Sequence, residues 1–193
     1  MITHLDEQMG RVLRALEESG HADDTIVVFA GDNGLAVGQH GLLGKQNMYE
    51  HSVRVPLIFL GPGIPKGKRS DALCYLLDVF PTLCDIVGLR VPESVEGHSL
   101  LPVMRGRRRR VRDSLFFAYK DVQRAVRDER YKLIEYFVAG ERKTQLFDLR
   151  EDLAELHDLS DDPDHARRLA GLRKELAAWQ EVLDDPLGRH GDL

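Results

Sequence analysis

Between Ala30 and Pro56 the sequence reads AGDNGLAVGQHGLLGKQNMYEHSVRVP, and four of its side chains could do chemistry. Asp32 and Asn33 place a carboxylate beside an amide carbonyl, the hard oxygen donors that Ca²⁺ or Mg²⁺ prefers. His40, framed by Gly38 and Gly41, and Lys45, after Gly44, could each direct a positive or hydrogen-bonding group at an anion held by that metal. The glycines let the backbone turn tightly and approach a ligand closely. Taken singly, each residue has a plainer account: Asp-Asn-Gly is commonly a turn, Lys45 a solvated lysine and His40 a loop histidine. Their joint placement describes an oxygen-ligand metal site beside an anion pocket.

The elements that must position these groups precede them. Thr25 to Phe29 is a short apolar run rich in β-branched residues. It reads as a strand buried on both faces of a parallel sheet. In open α/β sheets ligands bind beyond the carboxyl ends of strands, where Asp32 and Asn33 fall. Upstream, Ile2, Leu5, Met9, Val12, Leu13 and Leu16 recur at three- and four-residue steps, predicting an amphipathic helix packed on a sheet. Gly20 would stop it, and Asp23-Asp24 make the turn into the strand.

The motifs GDNG, then G-x-H-G-x-x-G-K, then Y-E-x-x-x-R-V-P-L-I resemble the late catalytic segment of the sulfatases, in the alkaline-phosphatase superfamily. The resemblance implies that Asp32 and Asn33 are two ligands of one divalent cation, usually Ca²⁺, with Mg²⁺ left open. It implies that Lys45 contacts the sulfate and helps the leaving group. His40 matches a histidine of many bacterial members, where its role is less uniform. The likeness runs discontinuously from about Thr3 to about Ser160. LLDVFPTLCDIVGL, around Asp78 and Pro81, is similar to a further sulfatase segment and reads as scaffold.

The sulfatase nucleophile lies in a C-x-P-S-R context, which neither cysteine has: Tyr-Leu-Leu follows Cys74, and Asp-Ile-Val follows Cys84. Both read as buried thiols rather than a disulfide framework. The resemblance would place several hundred residues, with the nucleophile and the first acidic ligands, ahead of the first helix.

A net charge of −5 over 193 residues gives no hint of nucleic acid as a partner. No apolar run approaches the roughly 20 residues needed to cross a bilayer, so no membrane partner is expected. MITHLDEQMG lacks the apolar core of a secretory signal, so the chain as given reads as cytoplasmic, with periplasm or secretion open for a complete protein. The basic run Arg105 to Arg112 has no interleaved aromatics and reads as a solvated connector.

After the loop, Val55 to Leu60 forms a second apolar run, Ala72 to Leu77 a short strand, and Asp78 to Val87 a helix ended by Gly88. A short helical turn is expected near Ser99 to Met104. Leu115–Tyr119, Gln123–Val126, Tyr131–Phe137 and Thr144–Leu149 read as four strands, antiparallel because their turns are short. Leu169, Leu172, Leu176, Trp179 and Leu183 form a helical stripe against that sheet. Asp152-Leu153 stands where the family's turn reads D-P, and Asp161-Asp162 and Asp184-Asp185 read as solvated turns.

The fold expected is α/β: the late part of a mainly parallel sheet with flanking helices, then a small antiparallel sheet packed on a C-terminal helix. Residues 1–106 would be the C-terminal portion of the catalytic domain and 107–193 a C-terminal subdomain. By resemblance the reaction is hydrolysis of a sulfate ester, of a small molecule or saccharide, to an alcohol and sulfate. Two alternatives stand beside it: a phosphodiesterase or phosphonate hydrolase of the same superfamily, and a non-catalytic remnant that binds metal or a partner. The partner would be the missing N-terminal half or further copies of the chain.

Overall fold

The computed structural model describes residues 1–187; residues 188–193 of the expected subdomain lie outside them. The chain is mixed α/β, with a small antiparallel sheet and a C-terminal helix. Ile2–Glu18 forms α1, and Gly20 follows it at φ 75°. Val27–Ala30 forms β1 and Leu57–Leu60 forms β4. Between them lie the two-residue strands β2 (Ala36–Val37) and β3 (Leu43–Gly44), which pair with each other, and the single helical turn α2 (Glu50–Val53).

Two expectations for this half are corrected. β1 pairs antiparallel with β4, Val27 opposite Leu60 and Ala30 opposite Leu57, where a parallel neighbour was expected. The cause lies in the connection: the two ends of the loop meet, Gly31 N donating to Pro56 O at 3.2 Å, so the chain returns beside the strand it left. A parallel partner would need a crossover to the far end. The second correction concerns α1, which packs on no sheet. None of its residues is buried, and Ile2 and Val12 are 86% and 69% exposed.

Ala72 to Leu77 is not a strand; its end tightens into a 3₁₀ turn, Leu76–Asp78, that runs into α3 (Val79–Val87). Gly88 ends α3 at φ 73°, the left-handed conformation that a helix C-terminus favours and glycine adopts without cost. Leu101–Met104 is the single-turn α4.

β5 (Leu115–Tyr119), β6 (Gln123–Arg127), β7 (Tyr131–Val138) and β8 (Glu141–Asp148) form an antiparallel meander in chain order. α5 (Ala166–Val182) covers one face through Leu172 and Leu176 against Val126, Leu133 and Leu146. Leu183 falls beyond the helix and is largely exposed. The other face is covered by Met48 and Tyr49, which pack on Ala125, Ile134, Phe147 and Leu149. The loop bearing the candidate chemistry is therefore a wall of the C-terminal core. Burying a side chain such as Met48 contributes about 1.5–3 kcal/mol.

Candidate active site

Asp32 and Asn33 stand just past the end of β1, Asp32 exposed and Asn33 half-buried. Asn33 Nδ2 donates to Asp32 Oδ2 at 2.8 Å, which holds the two donors side by side. Gly34 then brings the loop against its own far end. Its N–H donates to Ser52 O at 2.9 Å, and a Cβ there would lie 1.9 Å from His51 O. No side chain fits, so glycine at 34 is required by close approach.

The donor set suits a hard divalent cation. A carboxylate and an amide are adjacent, and a half-turn of the Asn33 amide presents its carbonyl oxygen instead of its nitrogen. Two protein ligands are fewer than the six to eight oxygens that Ca²⁺ takes. Among the described residues no group of three or more His, Cys, Asp or Glu side chains could hold a metal.

Lys45 is exposed, with no carboxylate partner among the described residues. His40 has φ 54° and lies between two neighbours. Its ring stacks on Tyr49 at 3.9 Å between centroids, and its Nε2 is 3.0 Å from Ala154 O. His51 lies 5.6 Å from both rings. Burial first, then the positive potential of His40 and Lys132, lowers the His51 pKa and favours the neutral imidazole. The four predicted side chains thus share one loop. Asp32 and Asn33 form a pair, Lys45 projects from the loop, and His40 is joined to the C-terminal subdomain.

Asp32 also lines a cleft of about 1080 Å³ whose other charged walls include Glu50, Arg54, Asp71, Arg127 and Arg150. Arg54 and Arg150 are exposed and have no ion-pair partner among the described residues. The cleft therefore offers the unpaired guanidinium groups of Arg54 and Arg150 on the walls it shares with Asp32.

Sequence reasoning missed the ions beneath the loop. Lys132, fully buried on β7, places Nζ 2.8 Å from Glu50 Oε1 and 2.7 Å from Glu155 Oε1, and donates to Met48 O at 2.9 Å. Arg127 Nη1 donates to Glu50 Oε2 at 2.8 Å, and Glu50 N donates to Glu155 Oε2 at 2.6 Å. Burial alone would raise the Glu50 pKa, but Lys132 and Arg127 outweigh it and hold the carboxyl below its ordinary value. Glu155 lacks the arginine, and burial pushes its carboxyl up. A lysine inside Tyr-Lys-Leu-Ile-Glu-Tyr was the available signal, since a charge on a two-sided apolar strand needs a buried partner.

The basic run is likewise not wholly solvated. Arg112 is buried against Asp78, while Arg109 and Arg110 reach Glu129 at the surface. Asp185 is also buried, joined to Arg124 at 2.6 and 2.7 Å, where a solvated turn was expected.

A mixed α/β unit followed by a four-stranded meander on a helix is an architecture shared with solved sulfatases of the alkaline-phosphatase superfamily. The profile described as N-sulphoglucosamine sulphohydrolase, C-terminal, matches residues 38–182, and the chain belongs to the sulfatase family. An arylsulfatase of Clostridium perfringens is 36% identical over 182 residues, covering 91% of this chain and 37% of the relative. A structure solved with its substrate D-glucosamine-2-N,6-O-disulfate superposes with a TM-score of 0.88 at 28% identity, over 98% of this chain and 41% of that one. The phosphonate monoester hydrolase of Agrobacterium radiobacter gives 0.80 at 31% identity, over 94% and 40%. The chain spans about two fifths of the length of these relatives.

Proposed function

We propose that this chain forms the late part of a sulfatase catalytic domain with its C-terminal subdomain, and takes part in hydrolysing sulfate esters of saccharides to alcohol and sulfate. The observation that carries the reading is the Asp32–Asn33 pair beyond β1, of which Asp32 lines a cleft with Arg54 and Arg150. Asp32 and Asn33 would hold a divalent cation, Ca²⁺ before Mg²⁺. When bound, it supplies positive charge beside the ester's non-bridging oxygens. Lys45 would meet the sulfuryl group and stabilise charge growing on the departing oxygen. A saccharide ester is favoured by the neighbour solved with a glucosamine disulfate.

The nucleophile and the remaining metal ligands come from polypeptide outside these 193 residues. Two observations support this: neither cysteine has the nucleophile's sequence context, and α1 carries an uncovered apolar stripe. The test is to assay an aryl sulfate with calcium, first with this chain alone and then with the chain joined to a sulfatase N-terminal half. Turnover should appear only in the second. Metal-dependent turnover by the chain alone would place a nucleophile among residues assigned here to scaffold.

The phosphonate hydrolase neighbour favours one other reading, in which the same residues act on phosphorus. Asn33 tilts the choice toward sulfur, because an imidazole there would better suit a two-metal phosphatase site. A phenyl phosphonate assayed beside the aryl sulfate separates the two. The non-catalytic alternative predicts calcium binding with no turnover in the joined protein.

A further inference from the structure

Lys45 sits midway between two points at which one turn of the C-terminal subdomain grips its loop. His40, five residues before it, meets Ala154 O at 3.0 Å. Glu50, five residues after it, gives its N–H to Glu155 Oε2 at 2.6 Å. The gripping residues are adjacent, and Glu155 has φ 58°, a left-handed conformation that a side-chain-bearing residue keeps only when its surroundings enforce it. Asp152 N donating to Asp148 O and Glu155 N donating to Asp152 O set that turn. Its carboxylate is thereby aimed at Glu50 and Lys132.

From Glu50 back to Lys45 the chain is tied residue by residue. Lys132 Nζ donates to Met48 O, Tyr49 N donates to Asn47 Oδ1 at 3.1 Å, and Asn47 N donates to Lys45 O at 3.0 Å. Met48 and Tyr49 are buried in the sheet's core. A buried ion cluster is a costly way to hold two surfaces together, and packed apolar side chains would do so as well. What ions add is direction: each contact is met at one register and lost if the segment slips. A shift of about 1 Å in a positioned group is enough to impair catalysis.

We infer that Glu155 and Lys132 are positioning residues for Lys45, and that the turn at residues 152–155 clamps the lysine loop at the distance the reaction requires. The inference rests on the reading of Lys45 as the cation that meets the sulfuryl group. His40 then serves as the second jaw of the clamp rather than as a proton carrier.

Proteolysis of the chain with a lysine-specific protease under native conditions tests the clamp without any activity. Cleavage after Lys45 is followed by mass spectrometry against cleavage after Lys143, on β8. Glu155→Gln should accelerate cleavage at Lys45 about tenfold or more while leaving Lys143 unchanged, since only the local opening becomes easier. His40→Phe keeps the ring stack on Tyr49, loses the contact to Ala154 O, and should do the same if Glu155→Gln fails to fold. Equal acceleration at both lysines, or none at Lys45, would overturn the clamp. In the active enzyme Glu155→Gln should lower kcat with KM held, and the loss should vanish in a Lys45→Ala background. A full loss in that background would also overturn it. Lys45→Ala leaving kcat unaltered would instead overturn the role of Lys45, while the proteolysis still decides the clamp.

Discussion

Asp78 and Arg112 face each other as a two-pronged ion pair closed off from water. Nη2 donates to Oδ1 at 2.7 Å, Nη1 donates to Oδ2, and the carboxylate is fully buried. Two backbone donors complete it, His98 N to Oδ1 at 2.8 Å and Tyr75 N to Oδ2 at 2.7 Å. Tyr75 then lies under the guanidinium, 4.7 Å from ring centre to Cζ, and accepts from Phe116 N at 2.6 Å. The pair thus joins the start of α3 to the first strand of the meander. Arg112→Ala strands a buried carboxylate and should lower stability by about 3–5 kcal/mol, read from the denaturation midpoint. Arg112→Lys should recover less than half, because an ammonium cannot meet both oxygens as the planar fork does.

The same pair sets a dependence on acid. Burial by itself raises the Asp78 pKa, but the bonds from Arg112, His98 N and Tyr75 N outweigh it and hold the carboxyl below its ordinary 3.8. A folded-state pKa below the unfolded one contributes stability that is complete above about pH 4 and lost as pH falls through the lower, folded value. Asp148, held down first by its bonds from Arg130, has the same sign. Urea unfolding of the chain between pH 2 and 7 should show the loss. Asp78→Asn should be less stable at neutral pH, with a flatter acid limb.

Lys45→Ala should separate folding from chemistry. The side chain is exposed with no carboxylate partner among the described residues, so the melting temperature of the variant should stay at the parent value. In the active enzyme, turnover should fall about 10²-fold or more, as for other preorganised donors that meet developing charge. An unchanged rate with an unchanged melting temperature would refute the assignment.

Calcium provides the matching test at the other end of the loop. The chain alone, with two oxygen donors, should bind Ca²⁺ more weakly than about 1 mM by titration calorimetry. In the active enzyme a tighter site should be present, and Asp32→Ala should remove both that site and the metal dependence of the rate. Retained calcium binding after Asp32→Ala would place the metal elsewhere.

What the sequence made legible was local. The β-branched run at Thr25 to Phe29 gave a strand, Gly88 a helix end, and the short turns after Leu115 an antiparallel meander. The direction of β1's partner was hidden, because it depends on the loop closing through Gly31 and Gly34, a contact between distant residues. The candidate site residues Asp32, Asn33, His40 and Lys45 stood out in the sequence by their types and glycine spacing, and the structure gathers them on one loop. Lys132, Glu155 and Arg112 were not, because a charged side chain in a sequence gives no sign of whether its counter-charge lies in water or across a sheet. Each is explained only by a partner dozens of residues away.

The bare stripe on α1 has a consequence for the helix itself. In proteins most helical stability comes from packing an amphipathic face, and a short helix left alone in water is only marginally formed. α1 has no buried residue, no side-chain cap at its start, and no acidic first turn or basic last turn to favour its dipole. Its helicity is therefore borrowed from whatever covers Ile2, Leu5, Val12 and Leu13. Held alone, residues 2–18 should exchange their amide protons at rates near those of an unfolded peptide. Covering the stripe should protect them, so that this one segment would report the docking of any polypeptide that packs on Ile2, Leu5, Val12 and Leu13.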